Sequence, residues 1–290
     1  MAISVADFKN RFIRIFGNKV WDDFYKYRRG KSFNSMEDVS AHLIKYKNRY
    51  KDLSNFYSHK QYTRFILICI EIVYGDSKKN IDFDNRTPLS KGNYNRKWEI
   101  EHIFSQNSFD DTFKTLKDGE ITRLPNCLNR RSTWRSNNWK IRRPSIQSNI
   151  RTNRRICLRL YIDIDKHLSC QNINNLTLIS RELNGDEKYK IANFQRKKSL
   201  MVSSTQNELN FHINRIFKDK KANKTEDYFF LLLDRGIKLK CDFERIFEPD
   251  NSKSLIFFRD VLGYSESDIK SAFHVTHLMR KWCRKRRRIK

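Results

Sequence analysis

The chain has 290 residues, of which 60 are Lys or Arg and 33 are Asp or Glu, so that its formal net charge is +27 at pH 7. That length buries a proper core without staples, and the charge is out of keeping with a small neutral ligand; it attracts polyanions, nucleic acid ahead of an anionic membrane surface, because the basic residues run through most of the sequence instead of lining one amphipathic helix. The cysteines (Cys69, Cys127, Cys157, Cys170, Cys241 and Cys283) form no C-x-x-C pair, against a zinc knuckle or secreted disulfide scaffold, and the longest apolar run, Phe65 to Ile70, is too short to span a bilayer, so a soluble, cytoplasmic protein with no membrane segment of its own is expected.

Ser4 is placed to cap a helix whose apolar residues Val5, Phe8, Phe12, Ile15 and Phe16 share a face, with Gly17 as its stop. A second helix begins at Ser35, with Asp38 where a capping box needs it, and carries Met36, Val39, Leu43 and Ile44 inward. From Ser58, the residues Tyr62, Phe65, Ile66, Cys69, Ile70 and Val73 recur at helical spacing up to Gly75, the pattern of a central helix in an N-terminal bundle. Residues 76–95, with Asp82, Asp84, Asn85, Pro88, Gly92 and Asn93, read as a loop. It leads into Trp98-Glu99-Ile100-Glu101-His102-Ile103-Phe104, a strand whose alternation puts Glu99 and Glu101 on one face and Trp98, Ile100 and His102 on the other. A break at the strand end lets Glu101 and His102 face one substrate; otherwise the run is a half-buried strand with a hydrogen-bonded histidine.

Between residues 121 and 160 stand eleven Lys and Arg and not one Asp or Glu, with Trp134 and Trp139 among them. Unopposed basic groups repel one another unless a polyanion relieves them, and interleaved aromatics suit phosphate gripping with stacking or wedge contacts, so Arg130, Arg131, Trp134, Arg135, Trp139, Arg142, Arg143, Arg154 and Arg155 are candidate DNA contacts. The spacing from Ile156 to Ile164 fits strand and helix equally. Asn174-Asn175-Leu176-Thr177-Leu178-Ile179-Ser180 then reads as a strand, Arg181-Glu182-Leu183-Asn184-Gly185 as a turn, and the stretch through Met201 as helix. Helical patterns continue around Leu209 to Phe217, Tyr228 to Leu233, Leu255 to Leu262, and from Ser265 through Trp282 into a basic tail, which is either a nucleic-acid-binding arm, the favoured reading, or a frayed soluble end. His274 and His277 lack a third ligand at matching spacing and read as a surface or core pair. The organisation is therefore a helical region over 1–95, a mixed core over 96–205 with a basic insert at 107–171, and a helical region over 206–290.

Glu101-His102 at a strand end, Asn175 opening a second strand and Asn184 just beyond it resemble the HNH nuclease pattern. More narrowly, Glu101-His102-Ile103 followed by Ser105-Gln106-Asn107 is similar to the E-H-I-x-P-Q-N signature of the HNH domain that closes GmrSD-type restriction enzymes, with Ser105 where that family has proline. Asn175-Leu176-Thr177-Leu178, Leu183-Asn184, and Asn193-Phe194 ahead of Lys197-Lys198 are similar to its N-L-T-L, L-N and N-x-F-x-x-K-K elements, in the same order. The resemblance covers about residues 58 to 205 and implies an α+β fold, mostly helical, around a small ββα-metal core. The nucleotide-binding domain of GmrSD-type enzymes has no counterpart here, which leaves control of activity to the helical flanks or to a partner chain. HNH effectors of multi-gene anti-phage systems, such as the type II Zorya nuclease, also look like this organisation.

The resemblance implies a metal-dependent endonuclease, a phosphodiester hydrolase acting on DNA in restriction or antiviral defence. It implies His102 as general base, Glu101 and Asn184 as ligands to one Mg2+ or Mn2+, and His102, Asn175 and Asn184 as the catalytic set, with Asn175 tying down the histidine's loop. Glu99 is placed to reach the metal shell, and Arg181, Lys188 and Lys197 to hold flanking phosphates. The alternatives are a non-catalytic nucleic-acid-binding protein and a mobile-element or homing nuclease.

Overall fold

The computed structural model describes residues 3–28, 32–51, 53, 55–75, 86–88, 94–96, 98–105, 170–190, 192–204, 208–218, 225–248, 251–270 and 272–273. The basic segment with its two tryptophans, the ambiguous stretch at 156–164, His274, His277 and the basic tail lie outside these residues. What is described is α+β and mostly helical.

Helix α1 (Val5–Phe16) begins where the Ser4 hydroxyl accepts from the Asp7 N–H at 3.0 Å, and ends at Gly17, whose φ of 90° is costly for any residue with a Cβ. The chain turns at that glycine straight into α2 (Asn18–Tyr27), a helix that sequence patterning passed over because no side chain caps it. Helix α3 (Met36–Asn48) starts from the Ser35 cap, with the Asp38 carboxylate accepting from the Asn34 N–H at 3.2 Å instead of reaching Ser35. Helix α4 (Lys60–Tyr74) is central: every residue from Tyr62 to Glu71 is buried, and Gly75 ends it. The aromatic rings of Phe8, Phe12, Phe16, Trp21, Phe24 and Phe65 interlock with centroids 4.6 to 6.4 Å apart, the geometry favoured by ring quadrupoles.

Residues 76–95 depart from the loop expected of them. Here β1 (Arg86–Pro88) pairs antiparallel with β2 (Tyr94–Arg96), and strands of three residues are too short to show an alternation in the sequence. The next strand, β3 (Trp98–His102), pairs antiparallel with β4 (Leu176–Ser180), in a register that sets Glu101 opposite Thr177 and His102 opposite Leu176. Three short helices follow, α5 (Arg181–Gly185), α6 (Glu187–Lys190) and α7 (Phe194–Ser203), where one continuous helix-friendly stretch was expected. Beyond them come 3-10 turns at Glu208–Asn210 and His212–Lys218, the long α8 (Thr225–Arg245), and α9 (Ser252–Leu255), which widens into a π-helical turn over Ile256–Val261. No helix among the described residues is long and apolar enough to cross a membrane.

One apolar core runs from Phe8 to Ala272 and joins the two flanking helical regions. The Phe8 and Tyr264 rings meet edge to face at 6.1 Å, Phe65 and Phe243 at 5.9 Å, and the Ser40 and Tyr264 hydroxyls lie 3.2 Å apart. The β3–β4 pair is set into this core. Trp98 and Ile100 are buried on one face of β3, and all five residues of β4 are buried. From α4, Arg64 donates to the Trp98 carbonyl at 2.7 Å. Behind β4, Thr177 donates to Asn214 at 2.8 Å and Glu208 accepts from the Ser180 N–H at 3.1 Å.

The connection into β4 is held by Arg235 of α8. The residue is 2 % exposed, and its guanidinium donates to the carbonyls of Ile173, Asn174, Leu176 and Ile213 at 2.6 to 3.0 Å. Burial lowers its pKa to about 9. A planar five-donor fork is the side chain that satisfies several carbonyls of one turn at once. Beside it, a Cβ at Gly236 would stand 2.7 Å from Asn174 Cβ, so the helix approaches the turn as closely as glycine allows. Arg235→Met keeps most of the buried stem and leaves these carbonyls unsatisfied; it should lower stability by about 3 kcal/mol, read as a fall in the urea midpoint.

Candidate functional site

The site begins where β3 ends. After His102 the strand continues for one more bond, Ile103 N–H to the Asn175 carbonyl at 2.8 Å, and then bends at 103–104. The bend is locked by the Asn175 side chain. Its Oδ1 accepts from the Phe104 N–H at 2.8 Å while its Nδ2 donates to the Phe104 carbonyl at 3.0 Å and to the Cys170 carbonyl at 3.1 Å. Asn175 is 0 % exposed, so the carboxamide is spent wholly inside the protein, where two-sided pairing with the main-chain N–H and carbonyl of one residue is worth most.

Helix α7 closes the bend from the other side. The Asn193 side chain caps it by accepting from the Arg196 N–H at 3.0 Å. At its first residue, Phe194 stacks on Phe104 with ring centroids 4.7 Å apart and 7° between planes. One turn on, Lys197 donates its ammonium to the His102 carbonyl at 3.0 Å and sits 4.6 Å from the centre of the Tyr189 ring.

With the bend fixed, the adjacent side chains of Glu101 and His102 come together in spite of strand alternation: Glu101 Oε1 lies 3.6 Å from His102 Nδ1. This is longer than a hydrogen bond and short enough for mutual electrostatic influence. The two side chains are 23 % and 12 % exposed, respectively. Tyr57 lies against the imidazole with ring centroids 4.3 Å apart, and His102 Nε2 is buried with no hydrogen-bond partner among the described residues. Burial pushes the Glu101 pKa up, but the His102 ring, the His102 main-chain N–H and the Lys197 ammonium outweigh it and hold the carboxyl below its ordinary range. Lys197 is itself shifted downward by burial, opposed by Glu101 and Cys170.

Glu99, two residues back on the face of Glu101, accepts from Asn184 Nδ2 at 2.6 Å, so α5 returns a carboxamide to the strand. Among the described residues no group of three or more His, Cys, Asp and Glu side chains could hold a metal ion. The partly exposed oxygens of Glu99 and Glu101, with Asn184 beside them, nonetheless fit a hard cation that keeps several waters and binds through one or two carboxylates.

The structure thus brings together Glu101, His102, Asn175 and, through Glu99, Asn184. Arg181 and Lys188 are exposed, Arg181 as the first residue of α5. Lys197 is placed differently from the sequence expectation: at 1 % exposure its ammonium lies on the His102 carbonyl, where it is not presented to a phosphate. A signal for this was present, since Phe194, Lys197 and Met201 recur at helical spacing and are the buried residues of α7. Arg130, Arg131, Trp134, Arg135, Trp139, Arg142, Arg143, Arg154 and Arg155 lie outside the described residues. Sequence reasoning did not find Tyr57 or Arg235; neither belongs to a recognisable spacing, and each reaches the site from a distant helical region.

Compared with protein-family models, with curated proteins and with solved structures, the chain matches none.

Phe194 is 2 % exposed and stacked on the residue that follows the bend. Phe194→Ala should cost about 3 to 5 kcal/mol in a urea titration, as truncating a buried aromatic does, whereas Arg181→Ala, on the surface, should stay within about 0.5 kcal/mol of wild type.

Proposed function

We propose that the chain is a metal-dependent endonuclease of the HNH kind, hydrolysing phosphodiester bonds in DNA. The observation that carries this reading is the clamp of Asn175 on the bend that ends at Phe104, which leaves a carboxylate and an imidazole, Glu101 and His102, side by side at a strand end. A protein that only bound nucleic acid would have no use for that arrangement. The net charge of +27 supports a polyanionic substrate.

In this mechanism His102 is the general base that takes a proton from the attacking water. Asn175 acts through His102 by fixing its turn. Glu101, with Glu99 and Asn184, would hold one Mg2+ or Mn2+. When bound, such an ion supplies charge relief on the phosphoryl oxygens and stabilisation of the departing 3′ oxygen. Arg181 and Lys188, both exposed near the strand–helix unit, hold flanking phosphates. The eleven basic residues between 121 and 160, with no acidic residue among them, add to the positive charge available to the same polyanion. On the resemblance to GmrSD-type HNH domains, the protein acts in the cytoplasm as an effector of restriction or anti-phage defence, with further proteins of such a system as its partners.

Supercoiled plasmid incubated with the protein and Mg2+ should become nicked or linear, and His102→Ala should abolish this while DNA binding persists. Equal cleavage by the variant removes His102 from the mechanism. Asn184→Ala should raise the Mg2+ concentration needed for half-maximal rate by about 10- to 100-fold, the range seen when a ligand's support is lost. An unchanged metal titration makes Asn184 a structural partner of Glu99 alone.

A further inference from the structure

We propose that Lys197 is a positioning residue for His102: its buried ammonium fixes the main-chain carbonyl of the histidine and thereby the direction of the imidazole. This rests on the nuclease reading for its consequence in catalysis, but not for the contact itself.

A lysine is an unusual occupant of a protein interior. Removing an ammonium from water is costly unless partners compensate, and Lys197 is 1 % exposed. Its compensation is the His102 carbonyl at 3.0 Å, the face of the Tyr189 ring at 4.6 Å and the charge of Glu101. All three belong to the site or its wall. A lysine kept for phosphate binding would end in solvent with a mobile stem; this one ends on the peptide group that joins His102 to Ile103.

The location of that contact explains its use. His102 is the last residue of β3, and past Ile103 the ladder gives way to a bend. Asn175 pins the far side of the bend at Phe104, and Lys197 pins the near side at the His102 carbonyl. With both ends held, the backbone dihedrals of His102 are set, and with them the line along which the imidazole leaves the chain. The ring then lies between Glu101 and Tyr57. Phe194 supports the same turn one helical turn earlier, so α7 contributes an apolar and a polar contact to one bend.

The test compares Lys197→Met, which retains an unbranched apolar stem, with wild type in four measurements. The first two are plasmid cleavage with Mg2+ and the salt dependence of binding to a DNA duplex. The third is the rate at which diethyl pyrocarbonate modifies His102, followed by peptide mass spectrometry. The fourth is the exchange of the lysine ammonium protons in 15N-lysine-labelled wild-type protein. Loss of positioning should reduce kcat by about 10- to 100-fold with KM for DNA little changed, leave the log–log salt slope unchanged, and increase the modification rate of His102 severalfold. In the wild type, the Lys197 ammonium should exchange more slowly than those of surface lysines.

A raised KM together with a slope smaller by about 0.9 would make Lys197 a phosphate contact and overturn the proposal. So would a His102 modification rate equal to wild type, or a Lys197 ammonium that exchanges as fast as surface lysines; the last measurement needs no variant and decides the matter if Lys197→Met does not fold. If wild type cuts no DNA with any divalent ion, the nuclease reading fails, and the modification and exchange rates still decide whether Lys197 holds His102.

Discussion

The reciprocal pairing of the Asn175 carboxamide with the main-chain N–H and carbonyl of Phe104 is the constraint on which the site depends. An asparagine is suited to it because one planar group offers a donor and an acceptor side by side. At 0 % exposure no water competes for either bond. Leaving such a buried donor or acceptor unmatched costs about 1 to 3 kcal/mol, so the chain after β3 is held in one bend. Adjacent residues of a strand ordinarily face opposite ways; Glu101 and His102 approach to 3.6 Å because the strand stops there.

Asn175 is in turn held from behind. It is the last residue of a 3-10 turn whose carbonyls are gathered by Arg235, on a helix brought close by the absence of a side chain at Gly236. The hierarchy runs from the helical core to Arg235, to the turn, to Asn175, to the bend, and only then to His102. Helix α7 adds a second line of support through Phe194 and Lys197. A proton-transfer group needs to be held to within a fraction of an ångström, and this layering supplies that rigidity although the β3–β4 pair is only five residues long. It also accounts for the helical flanks on both sides of so small a sheet: they share one core and bury the polar turn that the sheet alone could not shelter.

Much of this was legible in the sequence, and the parts that were not have physical reasons. Helices α1, α3 and α4 announce themselves through Ser4, Ser35 and Gly75 and through apolar residues at helical spacing. The strands around His102 and Leu178 are legible too, but the first ends at His102 instead of Phe104 and the second starts at Leu176, with Asn175 in the 3-10 turn before it, from where its side chain pairs with the main chain of Phe104. Helix α2 escaped because a glycine, not a capping side chain, precedes it. The β1–β2 pair escaped because each strand is only three residues long. Charge was the misleading cue for Lys197: in so basic a chain another lysine reads as one more phosphate contact, and its buried spacing with Phe194 and Met201 was the better guide. Arg235 and Tyr57 were beyond reach, because a long-range contact to backbone carbonyls or to a ring face leaves no local pattern.

The central claim, that Asn175 determines the conformation of the turn carrying His102, is tested most directly by amide hydrogen exchange in wild type and Asn175→Ala. If the pairing fixes the bend, exchange at Phe104 should accelerate by at least about 100-fold relative to the ladder amides of β3, since a protected amide becomes locally open, with a smaller effect at Ile103, which keeps its bond to the residue 175 carbonyl. Protection at Phe104 that falls no more than that of the ladder would contradict the account and place the constraint on the turn elsewhere.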